Sequence, residues 1–204
     1  MKILVFVDVH GEIGRIKNIV EIARKEEVSA LVCAGDLTFF GSNLDNLIER
    51  LDIGLPLILI PGNHELPNDI RDAARKFKFV RNLHNSVLEL EGRIFIGLGG
   101  SKITPFSTPF ELDDMEIDRQ LRKFGRFAGK GKKAVLVVHE PPLNTMLDRI
   151  DGMHVGSRAI REFIGKHEPD FCICGHFHEN AGKEEKLSRT TILNPGAEGK
   201  VIEL

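Results

Sequence analysis

Short, nearly continuous apolar runs alternate with helix-period segments along the chain, and the alternation predicts an α/β core. Ile3 to Val7, Ala30 to Ala34, Leu57 to Ile60, Ile94 to Leu98, Ala134 to Val138 and Phe171 to Cys174 carry almost no polar residue, the pattern of strands buried on both faces. Between them apolar positions recur at helical spacing. Ile13, Ile16, Ile19, Val20 and Ala23 share one helix face, Leu44, Leu47, Ile48 and Leu51 a second, Ile117, Leu121, Phe124 and Ala128 a third, and Ile160, Phe163 and Ile164 a fourth. Helices that bury one face against such strands make a layered α/β fold. Two connectors read as hairpins: Leu90-Glu91-Gly92-Arg93, and the closing Thr191–Gly196 with Lys200–Leu204, which would add edge strands. The longest irregular segment, 99–110, contains Ile103-Thr104-Pro105-Phe106 and Ser107-Thr108-Pro109-Phe110. Pro and Phe at that density suit a substrate-facing lid, a contact between two copies in a homodimer, or a surface loop stapled by its own phenylalanines.

At 204 residues the chain is long enough for one substantial core and short for two, so a single domain over 1–204 is expected. Net charge is −2 and the isoelectric point near 6.5. Positive charge gathers only in Gly129-Lys130-Gly131-Lys132-Lys133, and without a basic stripe long DNA or RNA is not the favoured partner. The apolar run before Asp8 is too short for a signal-peptide core, and no stretch approaches the roughly twenty apolar residues of a membrane span. A cytoplasmic protein with no membrane partner is expected. The three cysteines, Cys33, Cys172 and Cys174, lie in strand-like runs, and an odd count points to reduced, buried thiols. Cys172 and Cys174, read as directed to opposite faces of a strand, are not expected to share a metal.

Five segments carry the chemistry: Asp8-Val9-His10, Gly35-Asp36, Gly62-Asn63-His64-Glu65, His139 and Gly175-His176-Phe177-His178. Each alone has a plain reading. Asp-x-His or Gly-Asp after a strand is a common turn device, and Asn63 with Glu65 would serve as the N-terminus of a helix. Together they hold five of the eight histidines, each set at the end of a predicted strand, and loops at one edge of an α/β sheet gather into one site. Their donors are all nitrogen and oxygen, a set that suits Mn, Fe, Zn, Ni or Co. The pattern predicts a binuclear metal site and metal-assisted hydrolysis, with Mn the favoured ion.

This ordered set, running from Asp8 to His178, resembles the calcineurin-like metallophosphoesterase superfamily. The tail His154-Val155-Gly156-Ser157, Cys174-Gly175-His176-Phe177-His178-Glu179 and Leu193-Asn194-Pro195-Gly196 is similar to its small stand-alone bacterial and archaeal phosphodiesterases. The resemblance implies a four-layer α/β/β/α sandwich with two facing mixed β-sheets. It also implies Asp36 as the ligand bridging two divalent metal ions, with Asp8, His10 and His178 completing one site and Asn63, His139 and His176 the other. A water shared by two cations loses a proton near neutral pH and would attack phosphorus in line. His64, not a ligand in the family pattern, would act as general acid, and Glu65 would hold its other ring nitrogen. Gly11 and Gly175 would permit the turns that let alternate residues converge. The expected substrate is a small phosphodiester, nucleotides included, or a phosphomonoester. A non-catalytic metal-binding scaffold is the reading from another class, and the retention of every ligand position and His64 weighs against it. A nuclease would need a nucleic-acid surface that is not evident. Elsewhere, His154 either lines the pocket or is solvated, His84 and His167 are expected at the surface, Glu140-Pro141-Pro142 should shape a loop, and Asn194 reads as structural.

Overall fold

The computed structural model describes residues 1–129 and 131–204. Its elements are β1 (Lys2–Phe6), α1 (Ile13–Lys25), β2 (Ala30–Cys33), α2 (Leu44–Arg50), β3 (Leu57–Leu59), α3 (Pro67–Lys76), β4 (Val80–Asn82), β5 (Ser86–Leu90), β6 (Arg93–Leu98), β7 (Ser101–Lys102) and β8 (Glu111–Leu112). They continue with α4 (Asp114–Leu121), α5 (Gly125–Ala128), β9 (Ala134–Val138), β10 (Arg149–Ile150), β11 (Met153–His154), α6 (Arg158–His167), β12 (Phe171–Ile173), β13 (Glu184–Leu187), β14 (Thr190–Leu193) and β15 (Lys200–Glu203). All six apolar runs are strands.

Those runs show no polar alternation because both of their faces are covered. Along β1, β2 and β3, Leu4, Phe6, Leu31, Cys33, Leu57 and Leu59 pack under α1, α2 and α3, whereas Ile3, Val5, Val7, Val32 and Ile58 meet Phe95, Val135, Val137 and Ile173 of a second sheet. The opposite faces of β6, β9 and β12 then pack under α4, α5 and α6. Helices, sheet, sheet and helices form four layers, as the resemblance implies. The first sheet runs β15-β1-β2-β3-β4 and the second β13-β14-β12-β9-β6-β5. Both are mixed: in the first only β15 is antiparallel to its neighbour, and in the second the outermost pairs β13·β14 and β5·β6 are. The β5–β6 hairpin turns through Glu91 and Gly92, both at positive φ, the type I′ geometry that twists with the strands.

Four expectations are corrected. The closing segments do not form a hairpin: β14 lies between β12 and β13 of the second sheet, and β15 crosses to pair with β1 of the first. Asn194 directs the crossing, its Oδ1 accepting the Gly196 N–H at 2.9 Å where Gly196 adopts φ 66°. The third apolar stripe is two short helices joined by a 3-10 turn at Arg122–Phe124. Helix α3 is additional, too sparsely apolar to show a stripe, with only Ile70 and Ala73 buried. It starts after Leu66, whose N–H donates to Asp69 Oδ2 at 2.9 Å, so Asn63 is not its cap. Cys172 and Cys174 share the helix-covered face of their segment, since residues two apart on a strand point the same way. All three cysteines are free and buried. Of the basic turn, Lys130 lies outside the described residues. Among the described residues no helix is long and apolar enough to cross a membrane.

Candidate metal centre

All five segments leave the C-terminal ends of parallel strands and meet at one edge of the sandwich. The loops after β1 and β2 stay zipped past the strand ends, with Asp8 N–H on the Gly35 carbonyl at 3.2 Å and His10 N–H on the Asp36 carbonyl at 3.0 Å. Gly175 N–H likewise bonds the His139 carbonyl at 2.9 Å. Four of the side chains lie on left-handed backbone: Asp8 at φ 58°, His10 at 50°, Asp36 at 49° and His176 at 70°. Such residues are held against an intrinsic penalty, and clusters of them accompany functional sites. Gly35 and Gly62 allow the β2 and β3 loops to touch. A Cβ on Gly62 would stand 1.9 Å from Asp36 Oδ1, and one on Gly35 would stand 2.6 Å from the Gly62 Cα. Gly11 takes a left-handed φ of 78° as expected. Gly175 instead supplies room, for its Cβ would fall 2.2 Å from a Val7 methyl.

Asp36 is central. Its Oδ2 lies 3.4 Å from His139 Nε2, 3.7 Å from His10 Nε2 and 3.9 Å from His64 Nε2. On one side His10 Nε2 and His178 Nε2 approach to 3.0 Å, with Asp8 Oδ1 3.9 Å from the latter. On the other, Asn63 Oδ1 is 2.9 Å from His139 Nε2 and 3.0 Å from His176 Nδ1. The structure thus brings together all seven residues expected to bind metal. Asp8, His10 and His178, and separately Asp8, Asp36 and His139, offer ligand atoms within 4.8 Å of one another, and so do His10, Asp36 and His64.

The donor set fits a cation. Asp8 Oδ1 and His10 Nδ1 are buried without a hydrogen-bond partner, and a buried carboxylate oxygen left unpaired is strongly unfavourable. His139 Nδ1 faces the Ala34 carbonyl at 2.9 Å and therefore carries a proton, so its Nε2 directs a lone pair at two oxygens unless a cation or a second proton lies between them. Burial pulls His139 down, but Asp36 outweighs it and drives the imidazole up to about 10. Burial opposes ionisation of Asp36 too, yet His139 holds it well below the usual carboxylate range. Burial raises Asp8 to about 6 and lowers His10 to about 4 and His176 to about 3. At neutral pH Asp8, Asp36, His10 and His176 therefore stand in the forms that bind metal, whereas His139 holds a second proton against Asp36 that a cation would displace.

Glu65 departs from expectation. Its carboxylate makes no hydrogen bond to His64, and the residue is fully buried. Its Oε1 accepts from the Thr38 N–H and hydroxyl, both at 2.7 Å, and its Oε2 from Gly62 N–H at 2.8 Å and Asp36 N–H at 3.1 Å. Neighbours in an extended turn point apart, so Glu65 goes inward and fastens the Asp36 loop while His64 faces outward. Burial raises this carboxyl to about 7. The His64 ring stacks on Phe39 at 5.1 Å and meets the edge of Phe40 at 4.6 Å. Phe40 N–H reaches its Nδ1 at 3.4 Å, which places the proton of the neutral ring on Nε2.

The centre opens into a cavity of about 1120 Å³. One wall is the segment 102–108, so the irregular loop does face the site, and the β10–β11 hairpin lines it too, through Ile150 and His154. His154 is not merely solvated: its Nδ1 lies 2.7 Å from Oδ1 of the buried Asp148. Glu140 does more than shape a loop, for it is buried beside the cavity, accepts Lys102 N–H at 3.0 Å and lies 3.9 Å from His176 Nε2. His84 is half-buried, accepting Gly99 N–H at 3.0 Å and packing against Phe110, and burial lowers it to about 4. His167 is half-buried against Phe163.

The model of the family described as calcineurin-like phosphoesterase matches residues 1–180. The chain belongs to the calcineurin-like phosphoesterase family. A curated relative, an uncharacterized protein of Methanocaldococcus jannaschii, is 33% identical over 202 residues, covering 96% of this chain and 88% of its own. Among solved structures, the phosphoesterase fold here is similar to TT1561 of Thermus thermophilus, at 17% identity and TM-score 0.77 over 97% of this chain and 90% of that one. It also resembles a dimetal phosphatase of Danio rerio, at 13% identity and TM-score 0.65 over 94% and 86%. A third likeness is to an archaeal phosphodiesterase, at 16% identity and TM-score 0.52 over 96% and 84%. This family hydrolyses phosphate esters with divalent metals, and the Asp, Asn and His donors above are the groups of this phosphoesterase that can hold them.

Proposed function

We propose that this phosphoesterase hydrolyses a small phosphodiester using two divalent cations, Mn favoured. Asp8, His10, Asp36 and His178 would hold one and Asp36, Asn63, His139 and His176 the other. The observation that carries the reading is the convergence of the six other donors around Asp36 with Asp8 Oδ1 buried and unpaired. When bound, such cations neutralise phosphate charge and supply a deprotonated water at neutral pH. The remaining work falls to the chain. Glu65 fixes the Asp36 loop by accepting four hydrogen bonds, and the Ala34 carbonyl fixes the His139 tautomer. His64 presents Nε2–H to the oxygen that leaves phosphorus, and an arriving anion favours the cationic ring that can surrender that proton. The phenylalanines on either side of His64 keep it aimed. The dimetal phosphatase and the archaeal phosphodiesterase of this fold support the class, and the roomy cavity favours a diester over a monoester.

The test is the initial rate on bis-p-nitrophenyl phosphate and on p-nitrophenyl phosphate after metal stripping and Mn²⁺ reconstitution, with Asp36→Ala as control. Metal-dependent diester turnover absent from the control is expected. Monoester turnover alone would move the assignment to a phosphatase, and no turnover with any divalent ion would leave a non-catalytic scaffold.

A further inference from the structure

The cavity has a polar device that the metal centre does not use. Arg149 to His154 form a hairpin with Asp151 and Gly152 at its turn, both at positive φ. His154 stands at the base of this hairpin and lines the cavity. Its Nδ1 is taken by Asp148 Oδ1 at 2.7 Å, leaving Nε2 as the ring's available polar atom, and the side chain is 39% exposed. Asp148 is fully buried and itself fixed, accepting from Thr145 N–H at 2.9 Å, Gly156 N–H at 3.0 Å and Asn144 N–H at 3.1 Å. Lys102, on the 102–108 segment, donates Nζ–H to the Val155 and Gly156 carbonyls, each at 3.1 Å. The two segments are therefore tied together next to His154.

The rest of the lining tells what such a histidine would meet. Phe106 is 80% exposed, Ile103 72% and Phe40 52%, and all three face the cavity. Large apolar side chains left in water around one cleft mark a surface kept for a ligand. An apolar wall with one directed polar group is the usual build of a site for an organic molecule, where the apolar part supplies contact and the polar atom fixes orientation. A phosphate alone would fill only a small part of the volume.

Resting on the phosphodiesterase reading, we infer that His154, oriented by Asp148, is a specificity residue whose Nε2 hydrogen-bonds the organic substituent of the phosphate ester remote from the leaving group. The substrate class is an ester whose substituent is planar and carries hydrogen-bonding heteroatoms, seated between the 103–106 loop and the hairpin.

Three p-nitrophenyl diesters with a common leaving group test this: the thymidine 5′-ester, the phenyl ester and the methyl ester. With the Mn²⁺-reconstituted full chain, kcat/KM for the thymidyl ester is expected to exceed that for the methyl ester. In His154→Ala the thymidyl-to-methyl ratio falls at least tenfold, mostly through KM, and the phenyl-to-methyl ratio falls far less. Asp148→Asn should move the ratio the same way by a smaller factor. If it fails to fold, His154→Ala, on an exposed hairpin, decides alone. A wild-type ratio of one, an unchanged ratio in His154→Ala, or an equal fall for the phenyl ester would each overturn the inference while leaving the phosphodiesterase standing. Absence of turnover on all three esters with any divalent ion would overturn both.

Discussion

Gly62→Ala probes the contact that builds the centre. Gly62 does not lie in the left-handed region, so an alanine there brings no backbone strain and the substitution tests close approach alone. The added methyl would stand 1.9 Å from Asp36 Oδ1 and 2.5 Å from Asp36 N. Ordinary contact begins near 3.4 Å, so either the carboxylate or the β3 loop must give by more than 1 Å. The carboxylate cannot move freely, because its Oδ1 accepts the His64 N–H at 3.0 Å and its Oδ2 faces three imidazoles. Overpacking of this kind typically costs about 1–3 kcal/mol, and loss of the His64 hydrogen bond adds about 1 kcal/mol. For a domain of this size the sum lowers the melting temperature by roughly 5–15 °C. Activity is more sensitive, since a misplacement of about 1 Å in a catalytic constellation lowers rate on the order of a hundredfold. The assay pairs thermal unfolding by circular dichroism, the chain having no Trp or Tyr for fluorescence, with Mn²⁺ titration and diester turnover. Gly14→Ala is the control: it lies in α1 with nothing within 4 Å of its Cβ, and should be neutral or stabilising by up to about 1 kcal/mol. A Gly62→Ala protein with wild-type metal affinity and turnover would refute the claim that this glycine makes room for Asp36.

Further predictions follow from other residues. His64→Ala should retain metal yet slow esters of poor leaving groups more than those of good ones, and equal slowing across a leaving-group series would remove the acid role. Glu65→Gln should weaken Mn²⁺ binding about tenfold while shifting the melting temperature only a few degrees, because relief of a buried charge offsets the orphaned N–H. Unchanged metal affinity would show that Glu65 does not position Asp36. His84 sets part of the acid limb of stability. Its folded value near 4 lies below the ordinary 6.5, so as pH falls the unfolded chain takes up a proton first. Stability is then lost between about pH 6.5 and pH 4, by roughly 3 kcal/mol. His84→Gln should flatten that limb in denaturant titrations at stepped pH, and a limb identical to wild type would exclude His84 as its source.

The sequence made the strands legible and their sheet membership illegible, for one physical reason. A strand covered on both faces loses the two-residue polarity that would tell which side it buries, so β14 and β15 read as partners although they belong to different sheets. Helix α3 escaped because two buried residues make no stripe, though Leu66-Pro67-Asn68-Asp69 carries a capping signal in Pro67 and Asp69. At the site the distinction is sharper. The meeting of Asp8, His10, Asp36, Asn63, His139, His176 and His178 is legible because candidate metal donors are particular residue types just past strand ends, and residue type is what a sequence displays. The partners of those residues are not, because partnership depends on direction. Adjacency in the chain pairs Glu65 with His64, but the turn sends the two side chains to opposite sides. Nothing near Asp148 in the chain marks it, and only the folded hairpin carries His154 back over it. One local signal was there to be read: Asp151-Gly152, a type I′ turn dipeptide, foretells a hairpin that returns His154 beside Arg149, next to Asp148. Residue types locate the reacting centre from sequence, whereas the groups that aim it and choose its substrate emerge from how turns fold the chain back on itself.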